Sequence, residues 1–203
     1  MLSHILLTTG LLGTLLPLSS PAQTVPASSR FYVGIGANLL SNLPFKDRGI
    51  VPSSFGPSLT VGLPFKPRWA LQVGFSYHGK SETIDNPNST VEATVRTKYF
   101  LVPALLRYTV TEPTNPVQFD ILGGATLVHA KGRTTYSLPF YDEPTISDTR
   151  FNLTLGPAVR AAISNHLEFT ASSLVSVVVG KTYYNFSDRL FLNTSLGLNY
   201  KFG

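Results

Sequence analysis

From Phe31 to Phe202, apolar side chains keep returning at every second position, and this period constrains the fold more than any other feature of the sequence. The last segment is the clearest. Leu192, Thr194, Leu196, Leu198, Tyr200 and Phe202 share one parity, while Asn193, Ser195, Gly197, Asn199 and Lys201 share the other. Successive side chains of a strand point to opposite faces, so such a segment has one apolar wall and one polar or small wall. Phe31 to Leu39, Trp69 to His78 and Phe151 to Ile163 repeat the pattern. Pro57 to Leu63, Val117 to Ala130 and Leu167 to Gly180 show it more weakly, and the first of these is short enough that it should extend at both ends. Val91 to Val110 completes a set of eight strands. Its centre, Tyr99 to Leu106, is apolar at both parities and leaves its register open.

The connections carry a second period. Ser41 to Ser54, Gly79 to Thr90, Gly132 to Thr149 and Lys181 to Arg189 are long; Pro64 to Pro67, Thr111 to Pro116 and Ser164 to His166 are short. Long and short alternate without exception. Barrels of the outer membrane have short periplasmic turns and long external loops, whereas a soluble up-and-down barrel has no reason to enforce that alternation. The expected fold is therefore all-β: an eight-stranded antiparallel up-and-down transmembrane β-barrel over residues 30–203, both ends on one side. Phe31, Tyr32, Trp69, Tyr77, Tyr99, Phe100, Phe151, Tyr183, Tyr184, Tyr200 and Phe202 fall near strand ends and would form the interfacial aromatic girdles.

Composition agrees. Charged residues are only 13% of the chain, against roughly 25% in soluble domains. A barrel accommodates that deficit, because its outer wall is apolar and its charges collect in the lumen and loops. There is no cysteine, which excludes disulfides, thiol chemistry and a lipid-anchored start. The net charge of +5 is modest and no Lys/Arg run is present, so nucleic acid is not an expected partner.

The start of the chain reads as an address. Ile5 to Leu18 is an apolar stretch, well short of the roughly 20 residues a membrane-spanning helix needs, and Pro17 interrupts it. Ser20 and Ala22 supply the small residues of a processing site. Residues 1–22 are expected to be a signal peptide cleaved after Ala22, although Met1 to His4 lack the usual basic residue, and 23–29 a short linker. Export would carry the chain to the outer membrane of a Gram-negative cell.

With these segments in view, the chain resembles the outer-membrane β-barrel domain common in Bacteroidota, the PorT-like group of small barrels. The resemblance rests on Ala22-Gln23, on Tyr99 to Tyr108 with its central Pro103 and closing Arg107-Tyr108, on Ile121 to Ala125, and on Ser195 to Phe202. It implies location more than activity. The closing strand is also similar to the signal read by the barrel-assembly machinery, which prefers a terminal aromatic; here Gly203 follows Phe202.

No catalytic, cofactor or metal site is expected. The polar parities instead put Gln72, Asp120, Arg160, Glu168, Asn193 and Lys201 in the lumen, with Glu92, Arg96 and Lys98 joining them under one choice of register for the 91–110 strand. Buried charges must pair, and Arg160 with Asp120 or Glu168 is the expected pair, because these lie on neighbouring strands. His78 shares a face with Ser76. A lipid-modifying enzyme of the outer leaflet would need such a His–Ser pair in contact at the external rim, although no local motif supports one. Phe140 and Tyr141, and Tyr183 and Tyr184, sit in long connections beside carboxylates. They are candidate contacts for an extracellular partner, or they lie against the leaflet or over the barrel mouth. Outer-membrane lipids and the barrel-assembly machinery are the other expected partners. The competing fold-level reading is a secreted lipocalin-like carrier of an apolar ligand. It predicts the opposite orientation, with the apolar walls facing in.

Overall fold

The computed structural model describes residues 30–42, 53–84, 93–137, 144–180 and 189–203. Eight strands follow one another: β1 (Phe31–Asn42), β2 (Ser54–Lys66), β3 (Trp69–Ile84), β4 (Ala93–Thr109), β5 (Val117–Tyr136), β6 (Thr145–Ala162), β7 (Leu167–Val179) and β8 (Leu190–Phe202). Each pairs antiparallel with the next, and β8 returns to β1 to close the barrel. Closure leaves no strand edge unpaired, the condition for crossing lipid with strands. The expected signal peptide and linker lie outside the described residues.

The barrel has a lower rim, with Arg30, Gly203 and the short turns, and an upper rim where the long connections attach. Phe31 stacks on Phe202 at the seam, ring centroids 4.6 Å apart, and Trp69 packs on Tyr108 at 4.7 Å. Both pairs belong to the lower rim. Tyr77, Phe100 and His129 form a row near the upper one, with ring centroids 5.2 and 6.3 Å apart. Two residues expected in the girdles are not there: Tyr32 and Tyr99 point inward and are buried.

Side-chain parity settles the orientation of the wall. Ile35 is 68% exposed and Leu155 62%, and Leu59, Val73, Leu127, Leu153, Val175 and Leu196 are exposed with them. Covering one such side chain is worth about 1.5–3 kcal/mol, so a continuous wall of them cannot be left in water. The opposite parity holds the buried set, including Asn38, Ser76, Asp120, Thr126, Asn152, Arg160, Glu168 and Asn199. An apolar-cavity carrier requires the reverse, so the lipocalin-like orientation is wrong.

Strand length divides the wall in two. β7, β8, β1 and β2 have 12 or 13 residues, but β3, β4, β5 and β6 have 16, 17, 20 and 18. The tall side absorbs much of Gly79 to Thr90 and Gly132 to Thr149, which the sequence presents as loops. Thr83 to Ile84, Thr94 to Val95 and Arg133 to Tyr136 have good strand formers. Above the membrane neither face needs to be apolar, so strand continues without alternation.

Candidate functional site

β4 resolves the open register. Tyr99, Leu101, Leu105, Arg107 and Thr109 are buried and face in. Arg96 and Lys98 therefore face out and are exposed, which corrects their assignment to the lumen; Glu92 lies outside the described residues. The same register adds Arg107 and Thr109 to the lumen.

Near the lower rim these strands converge on a charged layer. Arg160 on β6 donates from Nε to Asp120 on β5, and from Nη2 to Asp120 Oδ1 at 3.0 Å. Its Nη2 also reaches Thr109 Oγ1 at 3.1 Å, and the Thr109 hydroxyl donates to Asp120 Oδ1 at 2.7 Å. In the other direction Arg160 Nη1 lies 3.3 Å from Glu168 Oε2 on β7. Glu168 accepts from Lys201 Nζ at 2.7 Å and from Asn199 Nδ2 at 3.0 Å, both on β8. One guanidinium thus bridges both carboxylates. Taking a carboxylate out of water costs several kcal/mol even after relaxation, and bidentate geometry with satisfied lone pairs is what offsets it.

A second group sits beside this layer. The Arg107 guanidinium lies 4.7 Å from the Tyr32 ring centroid, a cation–π contact. The Tyr32 hydroxyl donates to Gln72 Oε1 at 2.9 Å. Gly62 makes this possible, since a Cβ there would strike the Tyr32 ring. Gln72, Asp120, Arg160, Glu168 and Lys201 therefore all face in; Thr109 and Asn199 bond into the Arg160 group, and Tyr32 ties Gln72 to Arg107 beside it, across a shared small cavity. Tyr32 and Asn199 have the inward parity in sequence; the β7–β8 register sets Asn199 against Glu168, and the β1–β8 register sets Tyr32 against Lys201. Below the layer opens a vestibule of about 1030 Å³, lined by Arg30, Lys66, Arg68 and His166 among others.

Above it the lumen becomes neutral. A cavity of about 30 Å³ lies between Gln72, Asp120, Leu122 and Ser195, and over it Leu105, Leu122, Ala158 and Leu174 pack together. A hydroxyl ladder follows from β5 to β7: Thr126, Thr154 and Ser176 are linked at 2.8 Å and 2.8 Å. Asn193 accepts from Asn38 across the β1–β8 seam. Toward the upper rim Leu40, Tyr99, Leu101, Val128, Val178 and Phe191 form a second apolar plug.

His78 and Ser76 are in contact, with His78 Nε2 3.3 Å from Ser76 Oγ. Its Nδ1 lies 3.2 Å from the Ser54 carbonyl, which can only accept, so Nε2 is left to accept from the serine. Both residues are buried inside the wall, at 0% and 4% exposure. The pair faces the lumen rather than the leaflet. Phe140, Tyr141, Tyr183 and Tyr184 lie outside the described residues.

A family model described as the outer membrane protein beta-barrel domain matches residues 10–202. The chain belongs to that family. It is a small barrel of the outer membrane, so its lower rim is periplasmic and its upper rim external. Among solved structures, Ail, the attachment invasion locus protein of Yersinia pestis, is similar at 16% identity and a TM-score of 0.56, covering 87% of this chain and 100% of that one. A major outer membrane protein from Thermus thermophilus is 16% identical with a TM-score of 0.57, covering 87% and 100%. Neisserial surface protein A is 15% identical with a TM-score of 0.54, covering 86% and 98%. At these identities the likeness is one of fold. Comparison with curated proteins gives no match.

Proposed function

We propose that this barrel neither conducts solutes nor catalyses a reaction, and that it acts through its external connections, as a structural or adhesive surface protein. The observation that carries this reading is the filling of the lumen by a charged layer and two apolar plugs. That filling leaves the external rim as the surface that meets the outside. Ail is named for attachment and has been crystallised with a heparin analogue, sucrose octasulfate, so a barrel of this fold can serve such a role. A catalytic reading would have to route a lipid to Ser76 and His78 through the barrel wall, and among the described residues His78 Nδ1 faces the Ser54 carbonyl and no carboxylate. Phe140, Tyr141, Tyr183 and Tyr184 are the candidate contacts. Membrane lipids and, during insertion, the barrel-assembly machinery are the remaining partners, the latter through the strand ending at Phe202. The narrower PorT-like affiliation rests on the Tyr99 to Tyr108 and Ser195 to Phe202 segments.

The test has two arms. Proteoliposomes holding the folded barrel should swell in small sugars no faster than empty liposomes. Cells expressing it should attach to a surface or to each other more than controls, and Phe140→Ala/Tyr141→Ala with Tyr183→Ala/Tyr184→Ala should remove the gain while the heat-dependent gel shift persists. Rapid swelling, or attachment indifferent to all four substitutions, overturns the reading.

A further inference from the structure

Along the regular stretches of the eight strands, outward positions are apolar, aromatic, small or hydroxyl-bearing, with one exception. Arg96 and Lys98 on β4 and Lys131 and Arg133 on β5 carry full charge and are exposed. (Lys66, beyond the β2 bulge, belongs to the periplasmic turn and lines the vestibule.) The four form one block. Register sets Arg96 directly opposite Arg133 and Lys98 directly opposite Lys131. Directly opposed Cβ atoms lie about 4.5–5.5 Å apart, and rows two residues apart along a strand are separated by about 7 Å. Like charges in direct opposition weaken a sheet. Among the described residues, the nearest carboxylates in register, Glu82 and Asp148, have the inward parity and bond to Lys80 and Arg150.

Height completes the picture. One row below the block runs Tyr77, Phe100 and His129, the external girdle, and one row below that Phe75, Val102, Leu127 and Phe151 face lipid. The block therefore stands at headgroup level, just above the belt where aromatic rings sit. It is also one-sided. On the short wall the upper outward positions are Leu39, Phe55, Val177, Val179 and Leu192, without charge.

We propose that this block is a binding site for an outer-leaflet lipid whose headgroup carries more than one phosphate. Charge complementarity selects an anion, and Arg96, Lys98 and Lys131 in so small an area select clustered phosphates over a single one. Position selects a lipid, because a soluble acidic protein would have to approach sideways through the headgroup layer. The tall wall is what lifts the cations to that level. This goes beyond the adhesive reading and does not depend on the loops.

The test uses the folded protein in a zwitterionic detergent, titrated with fluorescently labelled lipid A, a bisphosphorylated glycolipid, and with labelled phosphatidylcholine. Lipid A should bind more tightly, and its affinity should fall as salt rises. Lys98→Gln/Lys131→Gln should weaken binding by about tenfold or more, with the heat-dependent gel shift intact. Lys98→Arg/Lys131→Arg should preserve it, and Lys66→Gln/Arg68→Gln, which removes as much charge from the far rim, should leave it unchanged. Equal binding of the two lipids overturns the proposal, as does indifference to the Gln pair or an equal loss in the far-rim control. Capture of soluble polyglutamate as tightly as lipid A would overturn the lipid assignment. Should the Gln pair fail to fold, lipid preference and salt dependence of the unaltered protein still decide the matter.

Discussion

The periplasmic part of the lumen is held together by charge, and the external part by apolar contact and hydroxyl pairs. In the first, Arg160 and Lys201 bond to Asp120 and Glu168 while Arg107 lies over the Tyr32 ring beside them, one cation in excess beside an open vestibule. In the second, Leu101 and its neighbours fill the bore with no formal charge among them. The two modes differ in how they fail. A charged layer is specific but brittle, since removing one member strands the others away from water. An apolar plug loses stability in proportion to the volume removed. The difference should therefore appear as non-additivity at one end and near-additivity at the other.

The largest effect is expected at Arg160. Arg160→Met leaves Asp120 and Glu168 without their shared donor and should cost about 3–5 kcal/mol in urea unfolding of the barrel folded into vesicles. Adding Asp120→Leu should recover part of that loss, because the stranded carboxylate goes with its partner. A double variant as unstable as the sum of its singles would show that the layer is not one network. Next comes Leu101→Ala, buried at 0% exposure in the external plug, with an expected loss of about 2–5 kcal/mol from contact and cavity. It should add simply to Arg160→Met, and strong coupling between them would dissolve the distinction between the two ends.

How far the sequence could be read follows from where lipid touches the wall. Within the hydrocarbon, one parity must be apolar, so β1, β3, β6 and β8 declare their faces. β4 does not, because the two apolar plugs put Tyr99, Leu101 and Leu105 on the inner parity while Phe100, Val102 and Leu106 take the outer one. Its charges then mislead. Arg96 and Lys98 lie above the hydrocarbon, at headgroup level, where an outward charge costs little. Arg107, deeper in the strand, is the residue whose charge fixes the parity. The loop boundaries fail for the same reason, since strands such as β5 rise past the lipid and lose their alternation. Asp120, Arg160 and Glu168 were legible because all three lie at membrane depth. Of their companions, Thr109 needed the parity of β4, Asn199 the β7–β8 register, and Tyr32 the closure of β1 on β8.

A smaller test probes the join between Tyr32 and the charged layer. Gly62→Ala places a methyl against the Tyr32 ring and should displace it from Gln72 and Arg107, costing about 1–3 kcal/mol by overpacking. Gly132→Ala, where a Cβ meets nothing within 4 Å, is the matched control and should leave the unfolding midpoint nearly unchanged. Equal effects at the two glycines would mean that strand propensity, not the Tyr32 contact, is being measured.

The smallest expected effect has the opposite sign. Asn152 is 1% exposed on the inner face of β6, and neither its Nδ2 nor its Oδ1 has a hydrogen-bond partner among the described residues. Its register neighbours are Thr126, whose hydroxyl pairs with Thr154, and the apolar Val178. A buried amide without a partner costs about 1–3 kcal/mol. Asn152→Leu, which keeps the branched shape and can join the contacts of Val178, should therefore stabilise the barrel by roughly 1 kcal/mol. The charged layer offers no such gain, since each of its acceptors is already engaged and any single apolar replacement there strands a charge. If Asn152→Leu destabilises, the carboxamide has a partner that the described residues do not include, and the external half of the lumen is a polar network like the periplasmic one.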